Sequence, residues 1–232
     1  MDMIESIYNR FLTGIFTLAN PIKKTVKRTE CKIHICINYY ALGTIFDNGL
    51  INKYNVFNTY IDSINEGAVW ADQDFRSSSH FYNPIKKRGL FGRKNAMDLA
   101  IEYYSKSIKL WPSNRNKSMF FLGAGVHIIQ DMTVPQHANI KLLGNHHQYE
   151  TFVKKQYMHF ESYSEDLKPY ILDSISEYVR FNSRLALIIY DKFKNIKEDE
   201  KRFLGTTKCT IPLAIRTSAG LMILFYKDIS TG

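Results

Sequence analysis

Residues 119–150, MFFLGAGVHIIQDMTVPQHANIKLLGNHHQYE, concentrate side chains able to grip a metal ion. His127 and Asp131 stand four apart, a spacing that stacks two side chains on one face of an α-helix, within reach of one ion. Pro135 cannot sit in a helix interior without losing a hydrogen bond, so the helix is predicted to end near Met132, with His137 beyond the break. A second helix then repeats the i, i+4 geometry at His146 and Glu150. Neutral imidazole and carboxylate suit zinc, and a donor set without thiolate is that of a catalytic rather than a structural zinc. One histidine on an apolar helix face is ordinarily a hydrogen-bonded core residue. His127, His137 and His146 clustered with two carboxylates are instead read as ligands.

A second set of polar candidates lies upstream. Residues 66–94, EGAVWADQDFRSSSHFYNPIKKRGLFGRK, show no sustained period and many turn formers, while carrying Asp72, Asp74 and His80. Long irregular segments in compact domains are usually binding or catalytic. Asp72 is preferred over Asp74 because of its distance from Gly67, and Asp74 is read as a turn residue.

Helices must position these groups. Apolar spacing predicts helices over 31–48, 52–65, 95–110, 115–132, from 146 to about 160, 170–190, a short piece over 198–204, and a C-terminal core helix over 210–227. In the first, Ile33, Ile37, Ala41 and Ile45 form one face while His34 and Asn38 lie along the other. Gly67 is read as closing the helix over 52–65. No segment alternates as a strand does, so the fold class is all-α, a single multi-helix domain. The 232 residues suffice for one domain with a sizeable core. No run reaches the roughly 18 apolar residues of a membrane span.

The net charge of +9 is localised. Lys23, Lys24, Lys27, Arg28 and Lys32 oppose only Glu30, and Lys86, Lys87, Arg88, Arg93 and Lys94 oppose no acid, which leaves the rest of the chain neutral. Such segments are either solvated faces or contacts for an anionic partner, a lipid surface or a nucleic-acid backbone. The three cysteines, Cys31, Cys36 and Cys209, form no disulfide framework and are expected to be reduced thiols. Residues 3–18 carry a helical apolar stripe, but Asp2 and Glu5 do not make the positive start of a signal peptide, so the N-terminus does not decide between export and retention.

His127-x3-Asp131, Pro135-x-His137-Ala138 and His146-x3-Glu150 followed by Phe152-Val153 make up a pattern that resembles the zinc-dependent bacterial phospholipase C family, which includes phosphatidylcholine-hydrolysing enzymes and the catalytic half of clostridial alpha-toxin. Asp72 looks like that family's loop aspartate, and Ser79-His80-Phe81-Tyr82-Asn83-Pro84 like its ligand-bearing segment. His34 falls where the family places an early helical histidine, and Arg216-Thr217-Ser218-Ala219-Gly220 is similar to the start of its last helix. The resemblance spans about residues 31–228, making residues 1–30 an N-terminal extension and 31–232 the catalytic domain.

The resemblance implies two to three zinc ions. One would take His80, His127 and Asp131 with Asp72 nearby as ligand or general base, a second His137, His146 and Glu150, and a third His34 with Asp131 as a bridge. It implies hydrolysis of a phospholipid at a membrane surface by a monomer, giving diacylglycerol and a phosphorylated headgroup. Two departures bear on this. Secreted family members open with a tryptophan that completes the third zinc site, whereas the first tryptophan here is Trp70, so that site is expected to be incomplete, filled by water, or completed by a neighbour such as Glu30 or Cys31. The aromatic residues of the choline pocket are also replaced, with Gln73 after the loop aspartate and Ser77 three before His80, which leaves the headgroup open. Single-strand-specific zinc nucleases share the ligand order and a segment like Trp70-Ala71-Asp72, but close the last site with Asp where this chain has Glu150. A nucleic-acid substrate is therefore the second expectation, and a membrane- or zinc-binding module without catalysis the third.

Overall fold

A computed structural model describes residues 32–73, 76–90, 94–140, 146–156, 160 and 162–231. The N-terminal stripe, the basic segment before Lys32, and Glu30, Cys31 and Asp74 lie outside them. The helices are α1 (Lys32–Asp47), α2 (Ile51–Thr59), α3 (Ile61–Ala71), α4 (Ala96–Leu110), α5 (Arg115–Asp131), α6 (Pro135–Asn139), α7 (His146–Gln156), α8 (Ile175–Phe193) and α9 (Asp199–Ser230), with a 3-10 turn at Arg76–Ser79. Among the described residues no strand forms, and the fold is all-α as the sequence pattern predicts.

α5 is the axis of the molecule. From Leu122 to Asp131 every residue is buried, and a helix covered on all sides must be packed by others all round; here α3, α4, α8 and α9 do so. Its start is fixed by Asn114, whose side-chain oxygen accepts the Lys117 N–H. α3 crosses it with almost no space between backbones. A Cβ on Gly67 would stand 1.8 Å from the Phe120 carbonyl oxygen, and one on Gly123 would stand 1.9 Å from that of Ile64. Two glycines therefore bring α3 onto α5, and Asp72, the first residue past α3, beside the ligand end of α5.

A smaller apolar cluster of Ile37, Tyr149, Val153, Phe203, Ile211 and Ile215 joins α1, α7 and α9. The metal-binding candidates lie between this cluster and the main core.

Three boundaries differ from expectation. The helix predicted over 52–65 is two, α2 and α3, broken at Tyr60, whose N–H closes back on Asn58 and Phe57. Gly67 is not its stop; it lies inside α3 at the contact with α5. The pieces predicted over 198–204 and 210–227 form one 32-residue helix, α9, that carries Pro212 within it. Thr206, Thr207 and Thr217 each return their hydroxyl to the carbonyl four residues back, so this polar stretch satisfies itself and stays helical while buried. Residues 216–220 are consequently mid-helix rather than at a helix start. By length and composition α9 could cross a membrane, but its apolar window is 72% buried within the fold. The helix predicted from Tyr170 begins at Ile175, capped by Ser174, because the preceding strand of chain is pinned to α9 through Arg216, whose guanidinium lies 3.6 Å over the Tyr170 ring.

Candidate metal centre

Four elements deliver the site. α5 contributes His127 and Asp131 from its last turn, one above the other. The segment after the 3-10 turn brings His80, α1 brings His34, and the end of α3 brings Asp72. The carboxylate of Asp131 is the hub. Its Oδ2 lies 2.7 Å from His80 Nδ1 and 3.1 Å from His127 Nε2, and its Oδ1 lies 3.5 Å from His34 Nε2. The two nitrogens on Oδ2 are 3.3 Å apart. Ligand atoms about 2.0–2.1 Å from a tetrahedral zinc stand about 3.3 Å from each other; the two longer edges of this triangle are close to that, and the shortest is a hydrogen bond between His80 and Asp131. Two donor groups, His34 with His127 and Asp131, and Asp72 with His80 and His127, each have their ligand atoms within 4.8 Å of one another.

The hydrogen bonds set the tautomers. Gln130 Nε2 donates to Asn38 Oδ1 at 2.8 Å and to Ser218 Oγ at 3.0 Å, so its Oε1 is the atom 2.7 Å from His34 Nδ1. That oxygen only accepts, hence Nδ1 carries the proton and Nε2 turns a lone pair toward the Asp131 carboxylate. Lone pair against carboxylate is repulsive unless a cation lies between them. His137 is fixed the same way: its Nδ1 donates to the His80 carbonyl at 2.9 Å, leaving Nε2 as the ligand atom. Its ring stacks on Phe81 with centroids 4.7 Å apart. The other ring nitrogens of the His80 and His127 pair, His80 Nε2 and His127 Nδ1, are buried without a hydrogen-bond partner. The donors therefore fit zinc.

Electrostatics agree with the geometry. Burial acts to raise Asp131, but the charges of His127 and His137 and the hydrogen bonds from His127 and His80 outweigh it and hold its carboxyl well below the usual range. Burial and the neighbouring His127 push His34 down to about 4, against the pull of Asp131. His80 is also lowered, by burial first. In His127 burial is overcome by Asp131, and the net direction is upward. Glu150 has an exposed side chain at the rim, yet desolvation against the cleft still raises its carboxyl.

A cavity of about 110 Å³ opens over these groups, lined among others by His34, Asp72, Asp131, His137, Tyr149 and Glu150.

The family description zinc dependent phospholipase C matches residues 33–201. The chain belongs to that family. Among solved structures it is similar to the alpha toxin of Clostridium absonum, at 16% identity and a TM-score of 0.71 over 85% of this chain and 64% of the toxin. It is likewise similar to the alpha-toxin of Clostridium perfringens from an avian strain, at 15% identity and a TM-score of 0.70 over 86% and 64%. The chain thus spans less than two thirds of these toxins' length, and at such identity the likeness establishes the fold. No curated protein matches it.

Of the family-type ligands expected from the sequence, the fold brings His34, His80 and His127 onto the Asp131 carboxylate and groups Asp72 with His80 and His127. His137 and Glu150 line the same cavity, and the His146 side chain lies outside the described residues. Sequence reasoning placed Asn38 beside His34 but missed Gln130, Asn65 and the part Ser218 plays, which together form the buried chain behind His34. One signal was present: an amide next to Asp131 on an otherwise apolar helix.

Proposed function

We propose that this chain is a phospholipase C that hydrolyses the glycerophosphate ester of a phospholipid, releasing diacylglycerol and a phosphorylated headgroup. The family membership supports the reaction class. The observation that carries it to this chain is the convergence of three imidazoles on Asp131 beneath an open cavity. In this reading His80, His127 and Asp131 hold one zinc with Asp72 beside it, His34 shares Asp131 to hold another, and His137, His146 and Glu150 hold a third. Residues 31–232 form the catalytic domain and residues 1–30 an extension to it. Bound zinc supplies Lewis-acid polarisation of the phosphoryl group.

The protein's own groups do the rest. Asp131 keeps its negative charge because its histidines hold the carboxyl well below the usual range, and so offsets the positive charge gathered in the site. Gln130 and the His80 carbonyl keep His34 and His137 in the tautomers that present Nε2. Asp72, at the cavity wall beside His80 and His127, accepts the proton of the attacking water.

Turnover of a soluble short-chain glycerophospholipid, assayed beside single-stranded DNA, tests the reading. Diacylglycerol release that falls about 10²- to 10⁴-fold in Asp72→Asn while zinc content holds supports it. DNA cleavage without lipid hydrolysis assigns the site to the nuclease chemistry instead.

A further inference from the structure

Ile85 has the greatest exposure of the large apolar side chains among the described residues, at 78%. It stands at the tip of a turn whose next three residues, Lys86, Lys87 and Arg88, are all exposed. None of these three cations forms an ion pair among the described residues, whereas Lys94 and Lys106 nearby are both bound to Glu102. From residue 83 to 89 there is no acidic side chain.

The turn is held rigidly. Asn83 N–H donates to the Arg88 carbonyl at 2.9 Å and Lys87 N–H to the Asn83 carbonyl at 2.8 Å, while the Asn83 side-chain oxygen accepts from the Ile85 and Lys86 amides at 3.0 and 2.9 Å. Lys87 is kept at φ 52°, in the left-handed region. A lysine holds that conformation only where its surroundings enforce it. The base of the turn is fastened to the metal centre's own frame. Tyr82 N–H donates to the His137 carbonyl at 3.2 Å and Asn83 Nδ2 to that of Ala138 at 3.1 Å. Direction and shape are thus fixed by the elements that hold the site.

An aliphatic side chain displayed on a rigid tip among unpaired cations matches a surface that is negative outside and apolar just beneath. We infer that the turn over residues 83–89 docks on an anionic phospholipid surface, with Ile85 entering the acyl boundary and Lys86, Lys87 and Arg88 meeting the headgroup phosphates. A nucleic-acid backbone would use the cations but has no use for Ile85, since single strands are gripped by stacking on aromatic rings. The inference rests on the phospholipase reading for its purpose but not for its test, because docking is measured without turnover.

The test is flotation of the full-length, zinc-loaded protein with vesicles of phosphatidylcholine plus phosphatidylserine, and with phosphatidylcholine alone. Each basic residue at an anionic surface is worth about fivefold in partitioning, so Lys86→Ser/Lys87→Ser/Arg88→Ser should lose about a hundredfold on the anionic vesicles. Ile85→Ser should lose about tenfold. All four side chains are exposed, and unchanged thermal unfolding of both variants shows that the fold is retained. Wild-type binding by both variants overturns the inference. So does DNA binding that is lost in the triple variant and kept in Ile85→Ser while vesicles go unbound. Tip-dependent vesicle binding in a chain that hydrolyses no phospholipid leaves the inference standing and removes the phospholipase reading. Hydrolysis of a short-chain lipid alongside wild-type vesicle binding in both variants does the reverse.

Discussion

Asp131 receives three histidines, and what makes the His34 nitrogen usable as a ligand is set one residue away. The Gln130 amide bonds three groups, His34, Asn38 and Ser218, and Asn65 in turn fixes Asn38, so His34 inherits its tautomer from residues on α3, α1 and α9. Gln130→Met keeps the volume and removes the acceptor. It should weaken zinc binding about 10- to 100-fold, the usual cost of losing an orienting partner, as read by competition with a chelating dye. In a His34→Ala background the same change should add little to the affinity loss, since the group it positions is gone. An equal loss in both backgrounds would mean that Gln130 acts on the site by another route.

At the scale of elements, the α3–α5 crossing decides where Asp72 meets His127. Gly67→Ala would put a methyl 1.8 Å from a backbone oxygen, which only separation of the two helices can relieve. The expected cost is about 3 kcal/mol, or about 10 °C in thermal unfolding, together with weaker zinc retention as Asp72 moves away. An unchanged melting temperature would show that the helices are not in register there. This crossing also explains which parts of the structure were legible in the sequence. His127-x3-Asp131 and the stop before Pro135 are local geometry, so α5 and its ligand pair follow from spacing alone, and the all-α class from the absence of alternation. Gly67 was legible as a glycine but not as a contact, because its reason lies on a helix more than fifty residues later. The break at Tyr60 carries neither proline nor glycine, and Pro212 sits inside a helix where the local rule forbids it. Tertiary packing decides both. The Gln130 network was invisible for the same reason: its members become neighbours only once four helices have assembled.

In the molecule as a whole, the same burial that readies the histidines makes the metal-free protein sensitive to acid. His34 is pushed down to about 4 and His80 is lowered as well, so below the ordinary histidine value near 6.5 the unfolded chain binds protons that these two refuse in the fold. Stability should therefore fall as pH drops from about 6.5 toward 4, with the raised His127 offsetting part of the loss. Melting curves of chelated protein at several pH values measure this. Chelation at neutral pH should itself lower the melting temperature, because zinc binds the folded donor set and adds a tie between α1, α3, α5 and the His80 segment beyond their direct packing. Apart from the i, i+4 pair His127–Asp131, the contacts that define the donor cluster join residues 47 to 97 positions apart in the chain. Loops of that length close late, so the donor set is incomplete at the folding barrier and zinc finds no site until the barrier has been crossed. The ion then acts on one direction of the reaction only: saturating zinc should slow unfolding in denaturant while leaving the refolding rate where it is without metal, and the cluster behaves as a latch rather than a nucleus.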